Sequence, residues 1–302
     1  MIKAPPTPKG FRDIKPELAK KRREVIGKIV TVLEKFGFVP IETPTIEFAD
    51  TLKGKYGEEE KLIYEFTDRG GRRLALRYDL TVPLARYVAT YNPPLPFRRY
   101  QIGQVFRGEN PQRGRFREFT QFDFDSVGSN DPAEDAKVVA VTLKCMSELG
   151  LLDAQMSIND RVNFANFPPE VVRAIDKLKK IGEEGVIKEL TDEGIPETEA
   201  KDAISKIRSQ KPTPNLEEIF RILKDQYGLK EGENFIFDPS LARGLDYYTG
   251  AIFELKLDQD PLSLSVGGGG RYDNLIGIFS KKDTPAVGFS FGLDRLLDLL
   301  YS

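Results

Sequence analysis

Apolar residues recur every three or four positions between 16 and 36, and Leu18, Val25, Ile29, Leu33 and Phe36 fall on one face. That period predicts an amphipathic helix. From 38 to 47 the pattern turns extended and Pro-punctuated, which suits a sheet edge or an interface. The stretch LALRYDLTVPLARYVA, 74–89, passes Asp79 and Thr81 and runs into another helix. Two runs of period two, 99–107 and 116–127, flank the polar loop 108–115 and predict a long hairpin. On its second strand Phe116, Glu118, Thr120, Phe122 and Phe124 share one face, while Arg117, Phe119, Gln121, Asp123 and Asp125 share the other. Asp131 opens a helix as its N-cap, with Pro132 at the first position, Glu134 completing a capping-box pattern and Gly150 closing the element. Residues 169–181, 183–193, 197–207 and 215–227 predict short charged helices broken by Gly and Pro, with Val171, Ile175 and Leu178 marking the apolar stripe of the first. Extended patterns resume at 235–257 and 262–266. A strand at 286–291 then leads through Gly292 into a last helix. The order of elements supports one interrupted α/β domain, 1–164 and 234–302, with a helical insertion at 165–233.

Composition bounds the chemistry. With 302 residues, 40% hydrophobic and 30% charged, the chain has the make-up of an ordinary soluble globular protein. Lys and Arg number 45 against 47 Asp and Glu, so there is no global basic field and any nucleic-acid contact must be local. Cys145 is the sole cysteine, which excludes an internal disulfide and a cysteine-ligated metal centre. It falls within a helical pattern, as a small buried hydrophobe would. No long apolar run or signal peptide is present, so no membrane partner is expected and the cytoplasm is the default location. Histidine is absent, which excludes catalytic triads, histidine-bound metals and imidazole acid–base chemistry.

Three segments carry candidate chemistry. RGLDYYTG, 243–250, sets Arg243, Asp246, Tyr247 and Tyr248 between two glycines. It reads equally as a ligand pocket or as a hairpin turn with a surface arginine. In the 99–127 hairpin, Phe119 lies between polar neighbours, a plate on which a flat ring could stack, while Arg107, Arg113 and Arg115 gather near the tip. That cluster suits bidentate capture of phosphate oxygens, and equally a solvated basic turn. Gly267–Gly270, followed by Arg271, Tyr272 and Asp273, fit neither the P-loop nor the dinucleotide spacing. Their absent side chains would instead let the backbone pass close to a ligand or a neighbouring strand.

Taken together these segments resemble the catalytic domain of histidyl-tRNA synthetase, a class II aminoacyl-tRNA synthetase. FRGENPQRGRFREF (106–119) resembles the second class II motif, with a histidine-specific continuation through Gln121 and Asp125. RGLDYYTG is similar to the histidine-specific signature, AVGFSFGLDRLLDLL (286–300) to the third motif and FGFVPIETPTIE (36–47) to the first. The likeness runs from Gly10 to the C-terminus. It implies an α+β fold with an antiparallel sheet flanked by helices, a homodimer built partly by the first motif, and ATP with Mg²⁺ as the activating nucleotide. It also implies contact between the helical insertion and the acceptor end of tRNA(His).

Position by position, the resemblance implies that Asp79 holds the histidine α-ammonium beside Thr81, while Gln121, Asp125, Tyr247, Tyr248 and Tyr272 form the rest of the histidine pocket. Arg107 would meet the α-phosphate and the substrate carboxylate, with Arg243 as a second cation there. Glu109 would lie near Mg-ATP, Phe119 would stack on adenine, and Arg115 and Arg295 would clamp the outer phosphates. Such chemistry needs no protein base, because the attacking carboxylate is already ionised at neutral pH. Asn110 and Asp294 depart from the family's motifs without removing a named role. Members of the family continue beyond the third motif into an anticodon-binding domain, which these 302 residues lack. A second resemblance follows, to the histidine-sensing regulatory subunit of ATP phosphoribosyltransferase. The presence of Arg107, Arg243 and Arg295 favours an activating enzyme.

Overall fold

The computed structural model describes residues 5–111, 116–242, 247–257 and 265–301. Helix α1, Pro16–Lys35, begins on a proline whose missing N–H costs nothing in a first turn, and it buries Val25, Ile29, Val32 and Leu33. The chain then turns through Gly37 at φ +81°, a left-handed conformation that glycine adopts without strain, into the two-residue strand β1, Val39–Pro40. Strands β2 (Ile46–Phe48), β3 (Glu65–Thr67) and β4 (Arg73–Leu76) make a small antiparallel sheet in the order β2-β4-β3, with the short helix α2 (Ala49–Leu52) beside it. Helix α3, Thr81–Tyr91, follows.

The hairpin is strand β5, Phe97–Phe106, paired to β6, Glu118–Val127, in an unbroken register from Phe97 opposite Val127 to Phe106 opposite Glu118. After it come α4 (Pro132–Glu148), β7 (Ala154–Asp160) and four helices: α5 (Pro169–Asp176), α6 (Leu178–Asp192), α7 (Glu197–Arg208) and α8 (Pro214–Asp225). Strands β8 (Phe235–Phe237), β9 (Ala251–Leu257), β10 (Gly267–Arg271) and β11 (Ala286–Gly292) and helix α9 (Leu293–Tyr301) complete the described elements. The main sheet runs β1-β5-β6-β11-β10-β9-β7-β8. Its central pairs are antiparallel, and the parallel pairs, β1 with β5 and β7 with β8, lie at the two edges. This is the α+β, antiparallel architecture that the resemblance implies.

One face of that sheet meets α1, α4, α8 and α9. Phe122 and Phe124 from β6 and Phe289 and Phe291 from β11 join Ile29, Leu33, Val138 and Leu223 in the largest core, all at 2% exposure or less. Each such side chain stabilises the fold by about 1.5–3 kcal/mol. Because side chains alternate along a strand, burying Phe122 and Phe124 commits Phe119, Gln121, Asp123 and Asp125 to the opposite face.

One detail differs from the pattern-based reading. Asp131 caps α4 by accepting from Ala133 N, but Glu134 does not close a capping box. It accepts instead from Arg98 Nε at 3.0 Å and Ser126 Oγ at 2.6 Å, tying the helix to the hairpin. The helices of 165–233 do not share one core. Val171, Ile175, Val186, Leu190, Ile204 and Ile207 of α5–α7 cluster together, whereas Leu216, Ile219, Phe220 and Leu223 of α8 pack into the main core with α4. An apolar stripe reveals that a helix packs, and says nothing of what it packs against.

Candidate active site

On the sheet face opposite α1 and α4 lies a cavity of about 470 Å³. Strand β6 contributes Phe119, Gln121, Asp123 and Asp125, and β11 contributes Gly288, Phe289 and Ser290. Further lining comes from Asp79 and Thr81 at the start of α3, Arg107 and Glu109 after β5, Tyr247, Tyr248 and Tyr272, and Arg295 on α9. The residues to which the resemblance gives roles thus meet at one cavity, except Arg115 and Arg243, which lie outside the described residues, as do Arg113 and Asp246. Phe116 also reaches the cavity wall, because β6 begins only at Glu118 and the alternation of faces does not extend back to it. Arg117 instead donates to Glu109 O at 2.9 Å.

Glycines let the strands close on one another. A Cβ on Gly269 would stand 2.1 Å from Gly288 O, and one on Gly267 would stand 2.5 Å from Ser290 O, so β10 must be bare to pair with β11. A Cβ on Gly288 would meet Asp125 Oδ1 at 1.9 Å, so its absence lets that carboxylate lie across β11.

The two ends of the cavity differ in chemistry. At one, the Arg107 guanidinium lies 4.3 Å from the Tyr78 ring centre and 5.1 Å from that of Phe119, and its Nε donates to Tyr78 O at 3.3 Å. Arg295, in the first turn of α9, donates to Ser265 O. Asp294 beside it accepts from Arg12 and Arg22, each at 2.8 Å, and from Thr120 N at 2.8 Å, which fixes the start of α9 to β6 and α1. The aromatic plate and the two arginines suit a ring bearing phosphates.

At the other end carboxylates and phenols are packed together. Asp79 Oδ1 accepts from Tyr56 OH at 2.9 Å and Val82 N at 3.0 Å, which caps α3, while its Oδ2 is buried without a partner. Burial holds the Asp79 carboxyl above its ordinary range. Asp125 accepts from Tyr272 OH and stands 2.7 Å from Arg99 Nη2, which lies off the line of a good hydrogen bond, so the contact is an ion pair. Burial pushes the Asp125 carboxyl up, and Arg99 and Tyr272 oppose that. Tyr247 packs edge-on to Tyr248 and Tyr272, at 4.9 and 5.9 Å between ring centres.

Reading by sequence missed several of these partners. Arg99, Tyr56 and Ser290 received no role, and Asp123 was placed on the correct face without one. Arg99 was within reach of inference, since the hairpin register sets it opposite Asp125. Arg271 proves to be structural: its Nε donates to Asp135 at 3.1 Å and its Nη1 to Ser129 O at 3.0 Å, away from the cavity. Among the described residues no group of three or more Asp, Glu, His or Cys is placed to hold a metal ion.

Comparison with known proteins bears on these motifs. A family model for histidyl-tRNA synthetase matches residues 10–176 and 158–296. The chain belongs to the histidyl-tRNA synthetase family. A histidine–tRNA ligase from Aeropyrum pernix is 44% identical over 97% of the chain and 74% of that relative. The crystal structure of histidyl-tRNA synthetase from Nostoc sp. superposes with a TM-score of 0.83 at 30% identity, covering 98% of the chain and 75% of the Nostoc protein. A Bacillus halodurans structure, described as an ATP phosphoribosyltransferase regulatory subunit/histidyl-tRNA synthetase, shares the fold with a TM-score of 0.79 at 23% identity, over 98% of this chain and 83% of its own. Membership in the synthetase family accounts for the fold and for the order of the motifs along the chain.

Proposed function

We propose that the chain activates histidine with ATP, giving histidyl-adenylate and pyrophosphate, and passes the histidyl group to tRNA(His). The observation that carries this reading is the division of one cavity. It has an aromatic plate with arginines at one end and a buried set of carboxylates and phenols at the other, with Phe119 of the first and Asp125 of the second on the same strand. In the reaction a histidine carboxylate oxygen attacks the α-phosphorus, the new O–P bond forms, and the bond to pyrophosphate breaks.

Phe119 would stack on adenine. Arg107 would stabilise the charge that grows on the α-phosphate, and Arg295 would hold the outer phosphates. Mg²⁺ would arrive with the nucleotide, near Glu109, and shield its phosphate charge. Asp79 and Thr81 would hold the α-ammonium, and Gln121, Asp125, Tyr248 and Tyr272 would enclose the ring, with Tyr247 packed behind Tyr248. Arg115 and Arg243, outside the described residues, take their phosphate roles from the family's motifs alone. In this reading the helices of 165–233 meet the acceptor end of tRNA, the chain works as a homodimer, and its setting is the cytoplasm. Among the described residues no helix is long and apolar enough to cross a membrane.

ATP–pyrophosphate exchange, run with each of the twenty amino acids, tests the proposal. Exchange that depends on histidine alone supports it. Histidine binding without exchange would make the chain a histidine sensor, akin in fold to the Bacillus halodurans protein.

A further inference from the structure

Buried polar atoms without partners are rare, and those that line a cavity point to what the cavity holds. Four occur together here: Asp79 Oδ2, Gln121 Oε1, Asp123 Oδ1 and Asp125 Oδ2, the last ion-paired to Arg99. The first two and the last belong to residues already given to the α-ammonium and the ring. Asp123 has no role in that scheme. It is 3% exposed and lies on β6 midway between Gln121 and Asp125, on the cavity side.

The surrounding charges leave Asp123 in surplus. Arg99 lies against Asp125, so this pair is neutral within itself. Arg77, behind Gly103, spends its Nε on Gln104 O at 2.7 Å and its Nη1 on Thr43 O at 2.8 Å. Asp79 and Tyr247 also face Asp123 across the cavity, and the Ser290 hydroxyl lies beside it on β11. Asp79 balances an α-ammonium and Arg107 a carboxylate, which leaves one negative charge at the floor. Histidine is the amino acid whose side chain titrates near neutrality, so it can bring a proton to that carboxylate or accept one from it.

We propose that Asp123 determines specificity by holding one ring nitrogen of the bound imidazole through a single shared proton. This rests on the histidine-activation reading above. The proton comes from whichever partner carries it: imidazolium donates to the carboxylate, or the carboxylic acid donates to the neutral ring, and both routes give the same complex. Burial, opposed by Arg99, pushes the free Asp123 carboxyl up to about 7, close to the ordinary imidazole value of roughly 6.5. Below both values the separated partners carry two protons and binding must release one. Above both they carry none, and binding must take one up. Affinity for histidine therefore peaks near neutrality and falls on either side.

Two measurements decide it. The first is the KM for histidine in pyrophosphate exchange, from about pH 5.5 to 8.5, for the unsubstituted chain, Asp123→Asn and Asp125→Asn. An asparagine can still donate to a neutral ring but has no proton to lose. Asp123→Asn should raise KM for histidine roughly ten- to a hundredfold at neutral pH, the value of a hydrogen bond to a charged group. It should leave KM for ATP within about twofold and abolish the weakening between pH 7 and 8, which a merely structural role would not move. The second is calorimetric titration of histidine into the unsubstituted chain, in two buffers of different ionisation heat. It should show proton release near pH 6 and uptake near pH 8, whether or not the variants fold.

Histidine-dependent exchange with an unchanged Asp123→Asn profile, or a profile lost only in Asp125→Asn, overturns the shared proton and leaves the activation reading intact. Binding with no proton exchanged at either pH overturns it as well. Absence of both exchange and histidine binding overturns the two together.

Discussion

Two of the clusters of buried charge in this molecule are built differently. Between the hairpin and α4, every carboxylate has its donor: Glu134 holds Arg98 and Ser126, and Asp135 holds Arg271. At the cavity floor the same residue types are just as deep, yet Asp79, Gln121, Asp123 and Asp125 each keep an oxygen without a hydrogen-bond donor, and Arg99 keeps two nitrogens without an acceptor. Burial alone does not separate scaffold from site. Satisfaction does, because an unpaired buried group costs free energy that a bound ligand can return. The scaffold cluster should therefore respond to mutation in stability and the floor in ligand affinity.

Arg271→Met strikes the scaffold hardest. It strands Asp135 without its cation, and the expected loss is about 3–5 kcal/mol in urea unfolding, with histidine KM unchanged for the fraction that folds. Loss of histidine affinity without loss of stability would erase the distinction. Arg107→Ala is the converse case, with kcat for pyrophosphate exchange falling roughly 10²- to 10³-fold and little change in unfolding midpoint.

Acid sharpens the contrast. Burial alone would raise Glu134, but Arg98 and Ser126 outweigh it and hold the carboxyl at about 2. A group whose value is depressed on folding contributes stability above its unfolded value and loses it as pH falls towards the folded one. The window here is from about 4.5 down to about 2, and the loss is roughly 2–3 kcal/mol. Glu134→Gln should flatten acid unfolding across that range. At the bottom of the scale, Lys206 and Asp202 pair 2.6 Å apart on the exposed face of α7, and Lys206→Ala should leave the melting temperature unmoved.

Much of this was legible in the chain. Period two over 116–127 separates Phe122 and Phe124 from Gln121, Asp123 and Asp125, and the structure sends the first set to the core and the second to the cavity. The signals are local, so elements and faces follow from them. What local pattern does not carry is the identity of a distant partner. Glu134 fits a capping box in sequence, yet Arg98, 36 residues away, competes for it with a full charge and wins. Likewise α8 has an ordinary amphipathic stripe, and only the path of the chain brings it against α4. Asp123 went unassigned for a related reason: an open oxygen is defined by the donors that fail to reach it, and those lie on other strands.

One consequence follows from the placing of Phe119, Gln121, Asp123 and Asp125 at every second position of β6. A strand rises about 3.3 Å per residue, so these four side chains mark off a length of roughly 20 Å. Strand β6 is thus a ruler, graduated at one end for stacking on a flat ring and at the other for recognition by carboxylates. Single substitutions can regrade one mark while leaving the others in place. An insertion or deletion of one residue within the strand would instead turn every later mark towards the core at once, so the two halves of the ligand are tied to a common scale.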